Sequence, residues 1–78
     1  MGQKASIGRI VHYVLPNSEH RPAIIVRVCD DRCVNLRVFL DGGNDGEWGA
    51  QQEWMTSVIH EESGTPYTWH WPERDADV

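Results

Sequence analysis

The stretch Pro22–Leu40, PAIIVRVCDDRCVNLRVFL, decides how the chain is read. Its second half alternates: Val34, Leu36, Val38 and Leu40 fall on one side of an extended backbone, and Asn35, Arg37 and Phe39 on the other. That is the pattern of a strand with one face in a core. Its first half, Pro22 to Cys29, is nearly continuous in apolar residues, which predicts a strand buried on both sides or central in a sheet. Between them, Asp30-Asp31-Arg32 is far too short for a parallel crossover, so the two strands form an antiparallel hairpin.

Working outward, Ile7–Leu15 (IGRIVHYVL) is rich in β-branched and aromatic residues and stops at the turn formers of PNSEH, giving a first strand. Trp54–His60 returns to strand character, and Tyr67–Trp71 (YTWHW) forms a short fifth strand ended by Pro72. No ten-residue stretch carries a 3.6-residue apolar period. Five short strands with brief links and no helix predict an all-β fold, a small five-stranded antiparallel barrel of the SH3-like kind. An OB-like barrel is the alternative, and the missing helix argues against it. The whole chain, residues 1–78, reads as a single domain with flexible termini and a Gly-rich loop near 41–53.

Small size limits the core, because a chain of this length buries only about 60% of the surface it exposes when unfolded, and that predicts homo-oligomeric association. The formal charge is −5, from 12 acidic and 7 basic residues, a field that repels duplex nucleic acid. No apolar run is long enough to span a membrane and the amino terminus lacks a signal-peptide core, so a cytoplasmic location is expected, with no membrane partner. Cys29 and Cys33 read as the two ends of a hairpin in a reducing compartment. A zinc site would need further ligands from His12, His20, His60 or His70, and the spacing is not that of a zinc knuckle, so no metal and no cofactor are expected.

Catalytic signatures are absent from the sequence. There is no G-x-S-x-G elbow, and the Gly-rich loop lacks the lysine and following helix of a phosphate cradle. His12 and His70 would acquire an acid–base role only if the fold brought them within reach of each other or of Arg21. The expectation is a non-enzymatic protein with no catalytic residue. The stronger signal is the number of large rings and arginines: Arg9, Arg21 and Arg37 supply bidentate contacts to phosphate or carboxylate, and Trp48, Trp69 and Trp71 supply ring faces for a planar ligand. Trp48 stands out because it sits in the polar loop. Trp54, Trp69 and Trp71 also read as the bulky pieces that fill a small barrel, with Trp69 and Trp71 on one face of the last strand and His70 on the other.

The run GRIVHYVLPNSEHRPAIIV, Gly8 to Val26, resembles the opening of MazF-like toxins, endoribonucleases built on an SH3-like barrel. The resemblance implies that Arg21 takes the place of their catalytic arginine. The third strand offers no threonine as its partner, so what the resemblance chiefly implies is the barrel. Over its whole length, through GRIVHYVL, HRPAIIV, VNLRVF and TWHWPE, the chain resembles small accessory proteins of tailed phages and prophages. That implies a protein acting in the bacterial host cytosol by binding, counter-defence included, through capture of a small nucleotide-like ligand or the blocking of a host protein.

Overall fold

The computed structural model describes residues 4–42, 45 and 52–72. Five strands, β1 (Ile10–Val14), β2 (His20–Val28), β3 (Cys33–Val38), β4 (Trp54–His60) and β5 (Thr68–His70), close into a barrel in the order β1-β2-β3-β4-β5. The described residues contain no α-helix. The protein is a small all-β barrel of the SH3-like kind, as the alternation and turn spacing predict.

The core is drawn from the inward side of every strand: Val11, Tyr13, Ala23, Ile25, Val34, Leu36, Val38, Val58 and Trp69, with Leu15 just past β1. The hairpin between β2 and β3 is locked by Asp30, whose Oδ1 accepts from the backbone N–H of Arg32 and of Cys33, both at 2.9 Å. Those two bonds favour the ionised carboxylate and hold the Asp30 carboxyl below the usual range. The first turn is built similarly: Asn17 Oδ1 accepts from Glu19 N–H at 3.1 Å, and Ser18 adopts φ 72°.

Curvature comes from two bulges that meet at Asn35. On β2 the register slips between Ile25 and Arg27; on β4 an extra residue is inserted opposite the Val34–Leu36 segment of β3. Ser57 there sits at φ 54°, and its N–H donates to Asn35 Oδ1 at 2.8 Å instead of to a ladder carbonyl.

Two expectations change. β2 is not buried on both sides: Ala23 and Ile25 are buried, but Ile24 is only half-buried and Val26 and Val28 are exposed, because the outside of a single-layer barrel has no second layer to cover it. The barrel is also not wholly antiparallel. β4 and β5 pair in parallel, Ile59 with Thr68 and His60 with Trp69, because the segment between them carries the chain back along β4 before β5 begins. β5 then pairs antiparallel with β1, His12 facing His70 and Tyr13 facing Trp69.

Candidate functional site

The registers align outward-facing residues of neighbouring strands. Ile10 is opposite Ile24, Ile24 opposite Arg37 and Arg37 opposite Trp54, so one row crosses β1, β2, β3 and β4. Phe39, two residues beyond Arg37, extends the same face and ties back to β2 through its N–H to Pro22 O at 2.9 Å. Trp54 is 61% exposed and Phe39 48%. The Arg37 guanidinium lies over the Trp54 ring at 5.0 Å from its centroid and pairs with Glu53 at 3.2 Å. Arg37 Nε is buried and has no hydrogen-bond acceptor among the described residues, while the side chain as a whole is 40% exposed. Beside it opens a cleft of about 390 Å³ lined by Arg37, Phe39, Leu40, Gly42, Asp45 and Glu53.

Arg21 is deployed differently. Its Nε and Nη2 donate to both oxygens of Asp45 at 2.8 and 2.5 Å, Nη2 also reaches Glu19 at 2.7 Å, and Nη1 donates to His20 O at 2.9 Å. A guanidinium has five N–H groups, and this set leaves little of it for a ligand. The hydrogen bonds that Arg21 donates to Asp45 and Glu19 raise its pKa further, while the same guanidinium holds the Asp45 carboxyl below the usual carboxylate range. Asp45, read from the sequence as a surface-loop acid, is 1% exposed and also accepts from Asp41 N–H at 2.6 Å. The pair thus anchors the start of the Gly-rich segment to β2.

Of the other sequence candidates, Arg9 lies over Trp71 at 4.9 Å. Trp71 is half-buried and meets Trp69 edge-on at 5.3 Å, as expected of two residues sharing a strand face. Trp69 is 1% exposed and donates its Nε1–H to Arg32 O at 3.0 Å, so it is a core residue and has no ring face to offer a ligand. Trp48 lies outside the described residues, as do most of the loop and the last six residues. Trp54, weighed from the sequence as barrel filling, instead faces outward. The sequence signal that could have found it is its place at the start of a strand directly after a polar, Gly-rich segment.

The cysteines occupy the hairpin ends as expected and are both free, Cys29 exposed and Cys33 buried. Burial, followed by the neighbouring Cys29, pushes the Cys33 thiol up, the opposite of what a nucleophile needs. Among the described residues, those placed to hold a metal are His12, His20 and His70, whose ring nitrogens lie within 4.8 Å of one another. Among the described residues no helix is long and apolar enough to cross a membrane. Comparison of the chain with protein-family models, with curated proteins and with solved structures returned no match.

Proposed function

We propose that the protein is a non-catalytic binding module that takes a small, planar, anionic ligand of nucleotide type at the Arg37–Phe39 cleft. The observation that carries this reading is Arg37, a cation whose side chain is 40% exposed, lying over the exposed Trp54 ring and lining, together with the exposed Phe39, a cleft large enough for a small molecule. A ligand phosphate would replace Glu53 on the guanidinium, since a half-exposed ion pair of that kind contributes at most about 1 kcal/mol, while a ligand ring would pack on Phe39 or Trp54. With the resemblance to small tailed-phage proteins, the setting would be an infected bacterial cell, where such a module removes a signalling nucleotide from use.

The test is a thermal-shift series with mono-, di- and cyclic nucleotides, supported by native mass spectrometry of the protein as purified. A true ligand at a hundredfold excess over its dissociation constant adds about 2.7 kcal/mol of stability, and Arg37→Ala and Phe39→Ala remove that gain. If no nucleotide at millimolar concentration shifts the melting curve and no adduct is carried through purification, the reading fails. The apolar row of Ile10, Ile24 and Trp54 would then favour the second reading, a surface that blocks a host protein. The ribonuclease alternative fares worse, because Arg21 is committed to Asp45, Glu19 and His20; single-stranded RNA incubated with the protein is expected to stay intact.

A further inference from the structure

Three of the chain's four histidines come together at one place on the outside of the barrel. They arrive from three neighbouring strands. His12 on β1 is the direct partner of His70 on β5, which brings two Cβ atoms on one face to within about 4.5–5.5 Å. His20 stands on β2 opposite Val14, and Pro22 opposite His12, so His20 is the diagonal neighbour of His12 on the same face. Two directly paired positions and one diagonal position make a triangle, and the backbone ladder that fixes it is part of the closed barrel.

We infer that His12, His20 and His70 form a site for a divalent transition-metal ion of the zinc class. An ion held tetrahedrally at about 2.05 Å from each nitrogen sets its ligand nitrogens about 3.3 Å apart and the centroids of its imidazoles about 5.2 Å apart. The three centroid separations here are 6.2, 5.4 and 4.7 Å, which bracket that value. The rings meet edge to face, at interplanar angles of 66° to 79°, and are not stacked. Closing the nitrogens from within 4.8 Å to about 3.3 Å takes side-chain torsion only, and exposed His20 and half-buried His12 have the freedom to supply it.

Ligand chemistry narrows the ion. Three imidazoles with no carboxylate among them suit zinc, copper, nickel or cobalt and not the oxygen-seeking magnesium or calcium. His70 is 2% exposed and anchors the inner corner of the triangle, whereas the side bounded by His12 and His20 is open to solvent. A bound ion would therefore complete its coordination with water or with a donor atom of an incoming ligand. The site goes beyond the proposed nucleotide binding and does not depend on it.

The experiment is a calorimetric zinc titration of the chelator-treated full-length protein at neutral pH, repeated on His20→Ala, His12→Ala, His60→Gln and Cys29→Ser variants. Expected are one saturable zinc site per chain at micromolar zinc and an affinity loss of at least about tenfold on removing His20 or His12. His60, which is paired with Glu62 at 2.5 Å, and Cys29 serve as controls and should leave the affinity unchanged. His20 is exposed, so its variant does not threaten the fold. As an independent readout, zinc should shift the ring-proton resonances of His12, His20 and His70 together and spare those of His60. Absence of saturable binding at millimolar zinc overturns the site. So does zinc binding that survives His20→Ala or is lost in Cys29→Ser.

Discussion

Trp69 shows how much one side chain can hold in a domain this small. It fills the core, pairs across the closing seam with Tyr13 and satisfies its indole N–H on Arg32 O at 3.0 Å. Trp69→Ala should cost about 3–5 kcal/mol through lost burial and the cavity left behind. A domain of this length has only about 4–12 kcal/mol in total, so urea unfolding of the variant should show a midpoint reduced by a large fraction or no folded baseline at all. Its neighbour Tyr13 carries a pH signature. Burial, with a smaller contribution from Tyr67, raises its phenol to about 12, above the ordinary value near 10. Since the folded state favours the neutral phenol, its contribution is complete below pH 10 and is lost as the pH rises towards 12. In a Tyr67→Phe background, where burial is left to act without the second phenol, phenolate absorbance should still titrate clearly above the ordinary value near 10; a midpoint near 10 would mean that the ring is not buried as described.

Among the elements, strand positions and inward faces were legible because burial imposes a period of two: Val34, Leu36 and Val38 declare β3 without help from elsewhere. β4 runs from Trp54 to His60, the same bounds that composition and turn spacing predict. What period alone cannot encode is the local exception. The bulges at Asn35 break the alternation by one residue on each neighbouring strand, and the apolar run of β2 mixes core residues with exposed ones that only register separates. The entry to β1 depends on another exception, Gly8 at φ +93°, whose N–H donates to Ile25 O at 2.8 Å. A Cβ placed there meets nothing within 4 Å, so Gly8→Ala isolates the backbone penalty. It should lower stability by about 1–2 kcal/mol without altering the denaturant slope, as read by urea titration.

At the scale of the whole molecule, the candidate sites depend on pairings that no local pattern announces. Arg37 could be named as a candidate from the sequence, but its neighbour Trp54 follows from the pairing of β3 with β4, and the triad of His12, His20 and His70 requires residues far apart in the chain to meet at the barrel seam. The clamp from Arg21 to Asp45 is equally distant, and it makes the fold sensitive to acid. Arg21 depresses the Asp45 carboxyl below its unfolded value near 3.9, so the stabilisation is complete above about pH 4 and is lost as the pH falls through the folded value. Asp45→Asn should lower the melting temperature at neutral pH and flatten the acid limb of the stability profile; an unchanged acid limb would remove the clamp from the account.

The seam between β1 and β5 has a kinetic consequence. His12 and Tyr13 wait for His70 and Trp69, so the first strand of the barrel is completed by the last. The hairpin of β2 and β3 can form early from neighbouring residues, but closure requires a loop spanning most of the chain, and loop-closure entropy makes that step slow. Until it happens β1 keeps a bare edge, able to pair with any other strand in reach. A nascent or truncated chain that stops short of Thr68 is therefore the species most exposed to aggregation, and chaperone dependence should concentrate in that interval of synthesis.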